Sequence, residues 1–117
     1  MLVQRPWGSY EILLDEPTYK VKRIILNPLQ QFSLQYHNLR FEYWTIVEGS
    51  GIITLKGQSK NQVITCIPGD FFHIFPKDVH RATAGIDGLS FIEVQRGQCS
   101  EDDIVRIEDD YGRLAQR

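Results

Sequence analysis

Within "SLQYHNLRFEYW", residues 33 to 44, stand Gln35, His37 and Glu42, and His37 is one of only three histidines in the chain. In a strand, side chains alternate between faces, so Gln35 and His37 share a side while Tyr36 points the other way. The connection "NLRF" then carries Glu42 onto the next strand, where its carboxylate can join them. His80, in "FPKDVHRA", is distant along the chain, but the opposite sheet of a barrel can deliver it to the same point. Two imidazole nitrogens, one amide oxygen and one carboxylate make a mixed set suited to zinc, and nearly as well to manganese, iron, cobalt or nickel. With a single carboxylate, a divalent ion would keep about one positive charge, which suits a Lewis acid better than a purely structural ion. The plainer alternative is that each histidine is an ordinary hydrogen-bonded residue, and Gln-x-His alone does not decide between the two.

The elements that must position these side chains read as strands. "YKVKRIIL", "FSLQY", "YWTIV", "GIITLK", "QVITCI", "FFHIF" and "LSFIEVQ" are short, rich in β-branched and aromatic residues, and bounded by Gly, Pro, Asn or Asp. In "YKVKRIIL", Lys20, Lys22, Ile24 and Leu26 fall on one face and Tyr19, Val21, Arg23 and Ile25 on the other, a mixture that suits a barrel with a polar interior. "NPLQQ", "IPGD" and "GIDG" read as turns, "EGSG" as a tight hairpin between "YWTIV" and "GIITLK", and "KGQSKN" as a second hairpin. Ser100, ahead of Glu101, Asp102 and Asp103, reads as the N-cap of a short helical turn near the C-terminus. Strands at this spacing indicate a sandwich, jelly roll or small barrel.

Composition narrows the partners. The chain has 117 residues, enough for one compact domain, and 42% hydrophobic content can fill its core. Thirteen basic against fifteen acidic side chains, with no basic cluster, argue against nucleic acid. No stretch resembles a membrane span or a signal peptide, so the expectation is a cytoplasmic protein with no membrane partner. Cys66 and Cys99 lack the spacing of a zinc or redox pair and read as reduced thiols, Cys66 as a small core residue. Trp7 and Trp44 read as packing residues, and His73, of opposite parity to Phe72 and Ile74, as a surface or interface histidine.

Two stretches carry a resemblance. "QYHNLRFE", with Gly49 seven residues after Glu42, fits the first cupin motif, with Gln35 where many cupins have their first histidine; "PGDFFHIFPKDVH", from Gly69 to His80, fits the second. "RPWGSYE", "YKVKRI", "SLQYH", "EYW", "IEVQRG" and "EDDIVRIEDDYGR" extend the likeness. Over nearly its whole length the chain resembles the C-terminal cupin of the type II mannose-6-phosphate isomerase family, which often carries a nucleotidyltransferase domain ahead of the cupin. The resemblance implies an all-β, single-domain cupin over residues 1–117, a double-stranded β-helix or jelly-roll barrel, standing alone. It also implies Gln35, His37, Glu42 and His80 as ligands of one divalent metal, zinc first. The family usually has histidines where this chain has Asn38, Leu39 and Tyr43, a serine in place of Phe41, and a Pro-x-Gly turn where Pro76 sits one residue late.

The activity implied is interconversion of an aldose phosphate and a ketose phosphate, mannose 6-phosphate and fructose 6-phosphate, by proton transfer between C2 and C1. Glu93 in "FIEVQ" is the candidate base, on the face shared with Phe91 and Gln95. Lys22, Arg81 and Arg106 are candidate phosphate contacts, with Arg81 turned away from the adjoining ligand if its strand is regular. Two alternatives stand beside the isomerase: a non-catalytic cupin that binds a sugar or nucleotide sugar, and a cupin oxygenase with a redox metal. Cupins commonly pair through their sheets, so a homodimer supported by Phe41 or Tyr43 is expected.

Overall fold

The computed structural model describes residues 1–57 and 61–114, and within them the chain is all β. Nine strands follow in order: β1 (Leu2–Arg5), β2 (Gly8–Asp15), β3 (Tyr19–Leu26), β4 (Leu34–Tyr36), β5 (Arg40–Lys56), β6 (Asn61–Cys66), β7 (Phe71–Ile74), β8 (Val79–Gly97) and β9 (Val105–Glu108). All pairings are antiparallel. One path runs β1-β2-β3-β8-β4-β9, and β5 pairs with β6, β7 and β8. No helix among the described residues is long and apolar enough to cross a membrane.

The frame of the molecule is the pair β5 and β8, 17 and 19 residues long, which run antiparallel from Arg40↔Gly97 to Lys56↔Val79. "EGSG" is therefore not a hairpin. The chain passes straight through it, with register shifts at Ile46/Glu48 and Gly49/Gly51, while "GIDG" is an excursion inside β8 rather than a turn between strands. Glycine permits this corner: Gly49 and Gly88 have φ of 78° and 79°, and a Cβ on Gly49 would lie 2.1 Å from the Gly88 carbonyl oxygen. At "IPGD" the turn does form, with the Asp70 carboxylate accepting from the Ile67 N–H at 2.9 Å. The tip of the hairpin read in "KGQSKN", residues 58–60, lies outside the described residues.

The helical turn expected at Ser100 is absent. The Asp103 N–H reaches the Ser100 carbonyl at 3.2 Å, closing one β-turn, and the chain then enters β9. Ser100 Oγ accepts from the Asp102 N–H at 3.2 Å, so the serine satisfies one turn amide where an N-cap would have opened a helix.

The inner face of β3, β8 and β5 is graded. Register places Ile24 and Ile46 beside Phe91, and this apolar end joins Trp44, Leu26, Ile53 and Leu89 in the core. Further along, the same face carries Lys22 beside Glu93 and Gln95 beside Glu42, all buried. Trp7 and Cys66 lie in the core as read from the sequence. On the outer face, His73 stacks on Tyr43 and Phe75 at 4.5 and 4.1 Å, and the Arg96 guanidinium covers the Phe41 ring at 4.2 Å.

Candidate metal centre and cavity

Strand β4 ends at Tyr36, residues 37–39 form the connection, and β5 begins at Arg40. The connection is thus shorter than "NLRF", so Arg40 belongs to the strand and shares a face with Glu42. Gln35 from β4 and His37 from the connection line the cavity at this end of the molecule while Tyr36 lies outside it. His80 arrives differently from the expectation. It stands not on an opposite sheet but on β8 directly beside β4, where Gln35 and His80 are register partners.

His37, Glu42 and His80 each place one ligand atom within 4.8 Å of the others, and all three are buried. Nδ1 of His80 lies 2.9 Å from the Asp78 carbonyl oxygen; the carbonyl accepts, so Nδ1 carries the proton and Nε2 keeps its lone pair. That Nε2 is buried, has no hydrogen-bond partner among the described residues, and lies 3.8 Å from Glu42 Oε1. An unpaired imidazole nitrogen facing a carboxylate is costly without a cation between them, and the donor set fits a divalent ion. Gln35, beside His80, can add its amide oxygen, which at present accepts from Ser33 Oγ at 2.6 Å.

Arg40 was not among the residues singled out from sequence, yet it sits within this group. Its Nε donates to Glu42 Oε2 at 2.9 Å and its Nη2 to His37 Nε2 at 2.8 Å, while Nη1 is buried without a partner among the described residues. Because a guanidinium has no acceptor, His37 Nε2 must be the accepting nitrogen, leaving Nδ1–H 3.3 Å from Glu42 Oε2. Trp44 Nε1 donates to Glu42 Oε1 at 2.9 Å. The signal for Arg40 was its parity: two residues before Glu42 on one strand means the same face.

Electrostatics separates the two buried carboxyls. Burial alone would raise Glu42, but His80, Arg40 and His37 hold it well below the ordinary carboxylate range; Arg40 is the partner charged at every pH of interest. Glu93 is pushed up to about 8, first by burial and then by the negative charge of Glu42, with which it shares a hydrogen bond. Gln95 Nε2 donates to Glu93 Oε1 at 2.6 Å. Burial, the largest cause, lowers His37 to about 3 and lowers His80 as well, so both imidazoles are neutral at neutral pH, the form in which they could hold a metal.

The cavity measures about 130 Å³, and Gln35, His37, Glu42 and Glu93 line it. Of the three basic residues proposed for an anion, two reach it. Lys22 is buried, its Nζ 2.5 Å from Glu101 Oε1 and 4.2 Å from the Tyr10 ring centre. Arg106 stands beside Gln35 in the β4·β9 register and also lines the cavity. Arg81 does not: it faces outward, donating to the Phe32 carbonyl at 2.9 Å and to Glu108, because its neighbour His80 takes the inner face. His73 is exposed and lies apart from the cavity. Asp103, read from sequence as an acidic residue of the helical turn after Ser100, instead accepts from the Asn38 and Leu39 N–H groups at 3.0 and 2.9 Å and so fixes the connection that carries His37.

Comparison with known proteins follows the same lines. The model of the family described as mannose-6-phosphate isomerase C-terminal matches residues 1–109. A mannose-1-phosphate guanylyltransferase of Escherichia coli is 37% identical over 116 residues, covering 95% of this chain and 23% of that protein. The alginate biosynthesis protein AlgA of Pseudomonas aeruginosa is 40% identical over 116 residues, covering 97% of this chain and 23% of its own length. The chain thus spans less than a quarter of the curated relatives it matches. Among solved structures, oxalate decarboxylase from Bacillus subtilis superposes with a TM-score of 0.80 at 18% identity, covering 92% of this chain and 30% of that one. A double-stranded β-helix domain protein from Klebsiella pneumoniae superposes with a TM-score of 0.70 at 19% identity over 84% of this chain and 82% of its own. These two likenesses establish the fold.

Proposed function

The chain belongs to the mannose-6-phosphate isomerase C-terminal family, with a cupin fold, and on that premise we propose that it is a metal-dependent aldose–ketose isomerase acting on a sugar phosphate, mannose 6-phosphate first. The observation that carries this reading is the placement of Glu93, a buried carboxyl with raised proton affinity, in the same cavity as His37 and Glu42, two members of the buried His37–Glu42–His80 cluster. Isomerisation needs one group that takes a proton from C2 and returns it to C1, and an environment that stabilises the negative charge between. Glu93 would move that proton, and Gln95 would orient its carboxyl through the 2.6 Å hydrogen bond. Neutral His37 and His80, anionic Glu42 and Gln35 would hold the ion, zinc in our reading. When bound, the ion supplies Lewis-acid stabilisation of oxygen charge. Lys22, with Glu101 as its present partner, offers a cation at the cavity wall.

The test is direct. Metal-loaded protein should form fructose 6-phosphate from mannose 6-phosphate, lose the activity with a chelator and regain it with zinc. Glu93→Gln should reduce kcat by roughly 100-fold or more while leaving metal content intact. The pH profile should rise through a midpoint at or below about 8, since a nearby cation lowers the affinity of Glu93 for its proton.

One observation favours the second reading, a cupin that binds a sugar without turning it over: Arg40 already satisfies Glu42 Oε2 and His37 Nε2. Under that reading mannose 6-phosphate raises the melting temperature of the metal-loaded protein but no ketose phosphate forms.

A further inference from the structure

Residues 98–104 lie between the end of β8 at Gly97 and the start of β9 at Val105, outside the strand ladders, yet Glu101 and Ile104 line the cavity. This strap crosses the mouth. The Glu101 side chain is 49% exposed, whereas that of its partner Lys22 is 4% exposed, so one carboxylate joins the cavity wall to solvent. Its Oε1 accepts from Lys22 Nζ at 2.5 Å and lies 3.8 Å from Lys20 Nζ, and Lys20 also donates to the Cys99 carbonyl at 3.3 Å. Further along the strap, the Asp103 carboxylate takes the Asn38 and Leu39 N–H groups of the connection that carries His37. The strap is thus pinned on both flanks of the mouth, to β3 on one side and to the 37–39 connection on the other.

Pins of this kind hold without being permanent. A strap that contributes Ile104 but no ladder hydrogen bonds has little packing to lose on opening, so its ionic contacts decide how often it opens. What resists is Lys22. On opening, its buried ammonium loses the carboxylate it now contacts, and a buried charge robbed of its partner is destabilised. Gly97, with φ of 103°, gives the strap a hinge that absorbs backbone rotation where the chain leaves β8.

We propose that residues 98–104 form a gate over the cavity that His37, Glu42 and Glu93 line, latched by Glu101 on Lys22 and by Asp103 on the 37–39 connection, and that it opens as one body to admit polar solutes. The two latches lie within one turn, closed by the Asp103 N–H on the Ser100 carbonyl, so releasing one loosens the other. Opening therefore uncovers the cavity and withdraws the support of His37 in the same motion. The gate stands apart from the isomerase reading, since it concerns entry and not turnover.

Trp7 and Trp44, the two tryptophans of the chain, both line the cavity and are 7% and 1% exposed, so quenching of their fluorescence by acrylamide, a small neutral solute, reads entry. In the unaltered, metal-free chain, raising sodium chloride from about 0.05 M to about 1 M should raise the Stern–Volmer constant about twofold or more by screening the Lys22 latch. Glu101→Gln should raise it about threefold or more at low salt and abolish the salt dependence. Glu101→Lys, which sets an ammonium against Lys20 and Lys22, should raise it further. Asp102→Asn, which removes an exposed carboxylate from the same strap, should leave it unchanged. Hydrogen exchange at the Asn38 and Leu39 amides, which Asp103 covers, should quicken about threefold or more in Glu101→Gln while the Ile53 amide keeps its protection. Quenching that neither salt nor the Glu101 variants change overturns the gate. Quenching that rises while the Asn38 and Leu39 amides keep their rate also overturns it, because the strap then does not move as one body. The salt titration uses the unaltered chain, so it decides the matter even where a variant folds poorly.

Discussion

Arg40 and a divalent ion need the same atoms. The guanidinium occupies Glu42 Oε2 and His37 Nε2, so an ion entering there must displace two charge-assisted or buried hydrogen bonds and accept a nearby positive charge. Arg40→Met removes that competition while keeping the stem, and zinc affinity should rise about tenfold or more, measured by competition dialysis; weaker binding would show that Arg40 orients Glu42 instead. The buried ionisable groups give a second expectation, for the metal-free chain. Glu93 holds its proton more tightly folded than unfolded, so its contribution falls as pH climbs from 4.5 to about 8. His37 and His80, lowered from 6.5, act oppositely: the folded chain gains stability as pH rises toward 6.5, where the unfolded imidazoles lose their protons. The two imidazoles prevail below 6.5 and Glu93 above it. Urea titrations of metal-free protein should therefore place maximum stability near pH 6.5, with a decline toward pH 8 of up to about 1.4 kcal/mol per pH unit that Glu93→Gln flattens. The grouping of Gln35, His37 and Glu42 was legible because alternation depends on counting alone. Arg40 was not, because "NLRF" read as a connection, and residues in a connection have no assigned face.

The corner in β5 and β8 depends on two positive φ angles. Gly49→Ala would put a Cβ 2.1 Å from the Gly88 carbonyl oxygen, and chemical denaturation should show a loss of about 2 kcal/mol or more. Asp103 carries a different load. It ties the 37–39 connection to the chain leading into β9, so Asp103→Ala should leave His37 less well oriented and weaken zinc roughly tenfold, read by calorimetry, with little change in the core. Strand content was legible where β-branched residues cluster: "YKVKRIIL" is β3 from its first residue to its last. The continuity of β5 through "EGSG" was hidden because Glu-Gly-Ser-Gly has the composition of a hairpin turn, and only pairing with β8 on both sides makes it a corner. β1, β2 and β9 escaped the reading because their residues mix charged and apolar types too evenly to show a period.

For the molecule as a whole, the motifs and the run of strands were enough to indicate a cupin, and the superposition on double-stranded β-helix structures agrees. What they left open was which strands are neighbours, since register is set by long-range pairing that no local pattern encodes. That is why His80 was expected across the barrel and is found beside Gln35. The length of the β5–β8 ladder also dictates an order of events in time. Its Lys56↔Val79 end closes a short loop, whereas Arg40↔Gly97 closes one more than twice as long, and closure entropy grows with length. Zipping from the short end forms the Ile53–Ala82 region early and leaves Glu42, Glu93 and Gln95 to last. In stopped-flow kinetics Ile53→Val should mainly slow refolding, while Ile46→Val should mainly hasten unfolding. The end that carries Glu42 and Glu93 would then open first under denaturing stress while the far end of the ladder still holds.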